Sequence, residues 1–435
     1  MTAYNRRRFL DALGMFSATT FLATLAKPAW SRNLEKALLS AAHRAPEQLA
    51  DDETFWYSVQ QSFTVNPEIV NLNNGGVSPS PKVVQDEMKK NFDLSEGGPS
   101  YYMWRILDKG REPLRKELAR ISGCSAEEVA IHRNASEALE TVIFGLPLKA
   151  GDEVVVSKYD YPNCVNAWKQ RELRDGVKLV WVELNMPSED NEYMAAQYIK
   201  AFTAKTKLVH ITHVYNWTGQ IVPVRMIADA AHKRGIEVLV DGAHSFAHFD
   251  YTIPSLGADY FGTSLHKWLA ACIGTGMLYI KQDKIANVWP LFAAPDIESN
   301  KTNIRKFENL GTRPFFIEQA IGKAIEFHEM IGVARKQQRL FYLKNYWMDA
   351  VKDLLKIKFY TSMKPGFGCA IGVVGFEGET TGNALESFLF GEHKIHVTTI
   401  NWENIHGVRI TPNVYTTTKD LDRLIAALKE YATKA

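Results

Sequence analysis

Between residues 129 and 280, short β-branched runs alternate with windows whose apolar residues recur at helical spacing, and no other feature restricts the fold as tightly. Residues 129–132, 153–157, 178–184, 207–212, 237–240 and 275–280 read as strands, and 136–146, 163–174, 192–202 and 224–233 as helices. Strand and helix taken in turn build βαβ units, which give a mainly parallel sheet with helices on both faces. Ligands of such sheets sit beyond the carboxyl ends of the strands, so chemistry is sought in the residues that follow each one. Beyond residue 315 the pattern changes. There 317–338 and 340–355 read as long helices, 356–362, 369–376, 395–399 and 407–411 as strands, and 419–431 as a closing helix, which together describe a smaller α+β unit.

A chain of 435 residues with 46% apolar content suits an ordinary globular protein of two domains. Lys and Arg number 51 against 49 Asp and Glu, a net charge of +2 without long runs of one sign, which speaks against nucleic acid as a partner. Arg6, Arg7 and Arg8 precede a mildly apolar run from Met15 to Ala26. The run is too short and polar for a membrane span, which needs roughly 20 apolar residues, so no stable insertion is expected. Paired arginines before such a run resemble a twin-arginine export signal, and residues 1–30 are set aside as that segment, with cleavage near Ala26 or Ala29. The expected location is then the periplasm; a basic amphipathic first helix, and a cytoplasmic protein, is the alternative. Cys124, Cys164, Cys272 and Cys369 form no C-x-x-C pair and are expected to be buried small hydrophobes.

Three places after predicted strands carry chemistry. Asn134 can cap a helix that begins where the strand 129–132 ends, with Glu137 three residues on, so free N–H groups point where an anion such as phosphate binds. A plain helix cap looks the same. Asp241 ends the strand 237–240 and, if buried, needs a cationic or strongly donating partner, which a turn cap or a structural ion pair would also supply. Lys267 stands in the apolar, glycine-bounded run 262–280. A lysine held among apolar groups near another cation has a lowered pKa and becomes a nucleophile towards carbonyls, whereas a snorkelling surface lysine does not.

Asn134-Ala-Ser136, His213-Val-Tyr-Asn216-Trp-Thr-Gly219, Asp241-Gly-Ala-His244, Ser264-Leu-His266-Lys267, Gly311-Thr312 and Val408-Arg409-Ile-Thr-Pro412 follow the order and approximate spacing of the class V aminotransferases. From about Asn71 to its end the chain resembles that family, which uses pyridoxal phosphate and includes cysteine desulfurases, kynureninases and isopenicillin N epimerase-like proteins. The resemblance implies the α/β, type I fold of pyridoxal-phosphate-dependent transferases, with a large domain over 71–320 whose mainly parallel sheet is of the seven-stranded type. A helical segment over 31–70 precedes it, and a small domain over 321–435 is completed by the N-terminal segment.

Carried onto this sequence, the resemblance implies that Lys267 bonds the cofactor aldehyde and later serves as base at the substrate's α-carbon, while Asp241 pairs with the ring nitrogen. Ala135, Ser136, Ser264 and His266 are the implied phosphate ligands, with Thr312 reaching the phosphate from the partner subunit of a homodimer. Tyr161 is implied to stack on the ring, and a core tyrosine is the plainer reading. Asn216 and His244 are implied to touch the phenolic oxygen, His244 where several relatives have glutamine. Arg409 is implied to grip a substrate α-carboxylate. Arg313 and Arg105 are further candidates for an anionic group, and the stretch Tyr101-Tyr102-Met103-Trp104 either walls the pocket or lines a dimer interface.

The implied activity is pyridoxal-phosphate chemistry at the α-carbon of an amino acid or related amine, as an aminotransferase or an epimerase, with β-elimination the alternative. Desulfurases carry a nucleophilic cysteine shortly before the carboxylate arginine; here the stretch from His396 to His406 has none, which speaks against a persulfide route. Cys369 lies earlier, in a predicted strand. A different class, a metal-dependent hydrolase built on Asp241, His244, His248 and Asp250, is raised by two histidines four residues apart, a spacing that suits zinc on a helix. That reading leaves Lys267 and Thr312 idle, and the leading one needs no metal. A non-catalytic binder of a phosphorylated ligand is the third possibility, and the Lys267 and Asp241 pair speaks against it.

Overall fold

The computed structural model describes residues 29–434. Its strands are β1 (Val70–Asn71), β2 (Val129–His132), β3 (Glu153–Ser157), β4 (Lys178–Val182), β5 (Thr206–Thr212), β6 (Glu237–Asp241), β7 (Tyr260–Ser264), β8 (Gly276–Ile280), β9 (Ile357–Phe359), β10 (Gly372–Phe376), β11 (Ile395–His396), β12 (Thr398–Trp402) and β13 (Ile405–Ile410). A seven-stranded sheet runs in the order β2-β8-β7-β6-β5-β3-β4. Strands β4, β3, β5, β6 and β7 pair in parallel, and β8 lies antiparallel to both neighbours.

Alternation along the strands sorts the core into two layers. Val155, Val209, Val238 and Val240 pack with the helix Val224–His232 on one face. Val154, Val156, Leu208 and Leu239 pack with the helices Ala135–Gly145 and Pro162–Asp175 on the other. Each such side chain, fully buried, contributes about 1.5–3 kcal/mol.

β7 was not among the strands expected from the sequence. Its residues Tyr-Phe-Gly-Thr-Ser have glycine at the centre, which weakens a strand signal. Packing supplies the reason: a Cβ at Gly262 would lie 2.7 Å from Cγ of Leu139, so the helix Ala135–Gly145 can lie this close to the sheet only against glycine.

The C-terminal half departs from expectation at two joints. The helix break predicted near Arg339 falls instead at Gly332, whose φ of +89° is open to glycine, and Val333–Val351 continues as one helix. The predicted strand 395–399 is divided at Val397. β11 pairs in parallel with β1, far upstream in sequence, while β12 joins the antiparallel sheet β12-β13-β10-β9. A core of Leu343, Trp347, Val374, Leu389, Val408 and Leu424 lies beneath that sheet. The arginine cluster and apolar run near the N-terminus, Arg6 to Ala26, lie outside the described residues.

Candidate active site

Parallel strands end together, and here their carboxyl ends bring four distant segments to one edge. β6 delivers Asp241, which is buried and accepts the N–H of Ala243 on Oδ1 at 2.9 Å. β7 delivers Ser264, whose Oγ accepts the N–H of Ala135 at 2.9 Å and so ties the strand end to the start of the helix Ala135–Gly145. Asn134 caps that helix, its Oδ1 accepting the N–H of Glu137 at 2.9 Å. The capping expected from the sequence is present, and Ala135 and Ser136 occupy the first turn, where backbone N–H groups point outward.

Lys267 follows β7 by three residues. Its Nζ lies 3.2 Å from Nε2 of His244 and 6.0 Å from the centre of the Tyr161 ring. Burial, helped by the charge of Arg409 and opposed by Asp241, lowers the Lys267 ammonium to about 8. The same burial and the charge of Lys267 push His244 well below the ordinary histidine range, so its ring is neutral and Nε2 can accept from the lysine. His266 falls to about 4 for the same two reasons. Burial raises Asp241.

Arg409, on β13, reaches this group from the small sheet. Nη1 donates to the carbonyl of Asn216 at 3.2 Å and Nη2 to Oδ1 of Asn73 at 3.1 Å, while Nε is buried without a partner. Burial lowers this guanidinium to about 10. Two cations, Lys267 and Arg409, thus stand in one neighbourhood with the carboxylate of Asp241, and a buried guanidinium resting on neutral oxygens is a receptor for an anion.

Buried polar atoms without partners recur in the same residues: Oδ1 of Asn216, Nδ1 of His244, Nδ1 of His266 and Nε of Arg409. Such atoms cost about 1–3 kcal/mol each unless a ligand or water meets them. A helix start, a desolvated amine, a carboxylate and these orphaned atoms match the needs of a phosphorylated aromatic aldehyde. Tyr161 is 39% exposed, and Nζ of Lys267 lies over its ring.

Several candidates lie elsewhere. Thr312 is exposed and makes none of these contacts. Arg313 is no anion receptor: it binds Glu318 at 2.9 Å and the carbonyl of Glu308 at 3.2 Å. Arg105, Tyr101 and Trp104 are exposed, Trp104 standing edge-on to Phe315 at 5.7 Å. The metal reading fails on local geometry. Residues 243–250 form turns and bends rather than a helix, and both ring nitrogens of His248 are engaged. Nε2 accepts the N–H of Ala370 at 3.0 Å, so Nδ1 carries the proton and donates to the carbonyl of His244 at 2.8 Å. Cys369 is buried, its thiol pushed up to about 12 and donating to the carbonyl of Gly219. Cys124 is only partly buried, contrary to expectation.

Sequence reasoning passed over Asn73, which sits in the run Asn-Leu-Asn-Asn-Gly-Gly from 71 to 76, a turn-rich signal at the end of β1. It also passed over Trp217 and Trp402, whose rings stack at 5.0 Å with a 2° tilt; Asn216, next to Trp217, and Asn404, two residues after Trp402, accept from Arg409 and Tyr159. Nothing in a single sequence pairs tryptophans so far apart.

The fold is shared with known structures. Apo cysteine desulfurase from Thermococcus onnurineus superposes with a TM-score of 0.75 at 21% identity, over 87% of this chain and 98% of that one. A variant of the lyase C-DES with glycine covalently linked to its PLP cofactor gives 0.75 at 19% identity, over 84% and 97%. In sequence, isopenicillin N epimerase of Amycolatopsis lactamdurans is 26% identical over 397 residues, 87% of this chain and 98% of the epimerase. A probable cysteine desulfurase of Halalkalibacterium halodurans is 29% identical over 311 residues, 68% of this chain and 75% of the relative. Residues 70–424, from β1 into the closing helix, match the family model described as aminotransferase class-V, and the chain belongs to that family.

Proposed function

We propose that this protein is a pyridoxal-phosphate enzyme that removes and returns a proton at the α-carbon of an amino acid, as an epimerase or an aminotransferase of its family does. The observation that carries the reading is the seat of Lys267: a desolvated amine resting on a neutral imidazole, with Arg409 unopposed nearby. When bound, the cofactor supplies an aldehyde for amines and a protonated ring that takes up the electron pair left at the α-carbon.

The chain's own residues do the rest. Ala135, Ser136, Ser264 and His266 hold the phosphate at the helix start, where the dipole favours negative charge. Asp241 would pair with the ring nitrogen and keep it protonated. Tyr161 would stack on the ring, and Asn216 and His244 would hold the phenolic oxygen. Lys267, lowered to about 8, is roughly a tenth unprotonated at pH 7, against well under a thousandth for an ordinary lysine, so it would supply the amine for the cofactor's aldehyde and a base for the α-proton. Arg409 binds the α-carboxylate through its fork and so aims the α-hydrogen.

The exposed Thr312 and the exposed aromatics Tyr101 and Trp104 support a homodimer in which Thr312 serves the partner's phosphate. The Arg6-Arg7 pair supports export to the periplasm, which cell fractionation tests. The direct experiment incubates the holoenzyme with amino acids of both chiralities in deuterium oxide. Deuterium at the α-carbon is expected with at least one of them, and none with any would overturn the reading. Inverted chirality identifies an epimerase, a keto acid that keeps its β-substituent an aminotransferase, and a released β-substituent with ammonia and a keto acid a β-lyase.

A further inference from the structure

Behind Asp241 lies a polar group that the proposed chemistry leaves unused. His210, near the end of β5, is fully buried. Its Nδ1 accepts the indole N–H of Trp168 at 3.0 Å, and its Nε2 is buried with no partner. A ring nitrogen of His210, Sγ of Cys164 and a carboxylate oxygen of Asp241 lie within 4.8 Å of one another.

An indole N–H can only donate, so Nδ1 of His210 must present its lone pair, and a neutral ring then carries its proton on Nε2. Burial lowers His210 to about 3, so the ring is neutral. Burial also holds the Cys164 thiol well above its ordinary range, which leaves it protonated. A neutral ring and a protonated thiol therefore lie near a buried carboxylate, with ligand atoms within 4.8 Å of one another and one carboxylate oxygen engaged by Ala243.

The same donor set invites a metal, and the tautomer argues against one. A metal on Nε2 takes the lone pair there and moves the proton to Nδ1, where it would meet the Trp168 N–H donor to donor.

We infer that His210 is a positioning residue for Asp241: its Nε2–H donates to the carboxylate, holds it ionised in spite of burial, and aims it at the ring nitrogen of the cofactor, with Trp168 fixing the tautomer. The inference rests on the pyridoxal-phosphate reading. It also gives the buried Nε2 the acceptor it lacks.

The test is a double-mutant cycle on cofactor affinity, measured by titrating the full-length apo protein with pyridoxal phosphate, with the apo melting temperature recorded alongside. With Asp241 in place, His210→Phe is expected to weaken binding about tenfold; with Asp241→Asn present, it is expected to weaken binding less than about twofold. His210→Gln, whose amide nitrogen reaches towards the position of Nε2, is expected to keep binding within about threefold of wild type. An equal effect of His210→Phe in both backgrounds would make the ring mere filling and overturn the inference. Should His210→Phe fail to fold, the proton NMR signal of Nε2–H decides: protected in the wild type and lost in Asp241→Asn supports the inference, and no change on that substitution overturns it. Stoichiometric zinc that disappears with His210→Gln overturns it in favour of a metal site. A wild-type apo protein that binds no pyridoxal phosphate removes the parent reading, and the inference with it.

Discussion

Lys306, Lys336 and Lys344 are buried more deeply than Lys267, at 5%, 4% and 2% exposure, and burial lowers all four: Lys306, Lys344 and Lys267 to about 8, Lys336 to about 7. What receives the amine differs. Lys306 donates to the carbonyls of Ile285 at 2.7 Å and Lys301 at 2.9 Å, and Lys344 to the carbonyl of Ser362 at 2.8 Å. Lys336 donates to the carbonyl of Trp268 and lies 3.4 Å from Nδ1 of His328. Each closes a gap in the backbone's hydrogen bonding. Lys267 ends on an imidazole beside a carboxylate and a guanidinium, with no carbonyl to hold it. Desolvation alone thus marks four lysines as reactive, and the partner atoms separate the reagent from the struts.

The comparison breaks most directly at its two ends. Lys267→Ala should lower turnover by at least about a thousandfold while the melting temperature stays near that of wild type; residual turnover within tenfold would end the distinction. pH gives the next largest effect. An amine near 8 gains its neutral form as pH rises, so colour formation by the apo protein with pyridoxal phosphate should speed up about fiftyfold from pH 6 to 8 and then level off, as stopped-flow absorbance would record. A rise of about a hundredfold over the same range that continues past pH 9 without levelling would mean that the lysine keeps ordinary basicity. Arg409→Lys keeps the charge and loses the fork, and kcat/KM should fall about tenfold or more, mainly through KM. Lys336→Met should have the smallest catalytic effect, within about twofold in kcat, while the exposed need of the Trp268 carbonyl costs about 1–3 kcal/mol in urea unfolding. A loss of kcat matching that of Lys267→Ala would show that Lys336 is no strut.

The sequence discloses the parallel sheet because period-2 and helical patterns alternate cleanly from β2 to β6. β7 hid because Gly262 answers to Leu139 on a helix more than a hundred residues away, a demand that no local window contains. Asp241 was legible because it ends a strand that was, whereas Lys267 showed itself through the apolar run around it and Ser264 only through the family resemblance. Asn73 and His210 were not. Asn73 matters only because β1 pairs with β11 and brings it to Arg409, and His210 only because Trp168 turns its ring. Arg313 misled because an arginine next to Thr312 looks available, whereas Glu318 five residues on already holds it.

The hydrogen bond between Arg409 and Asn73 spans 336 residues of sequence. Closing a loop of that length costs about 5 kcal/mol beyond a constant. A ribosome exposes Asp241 and Lys267 well before it exposes Arg409. During synthesis the large sheet has its strands early, while the receptor for a carboxylate is completed only near the end of translation.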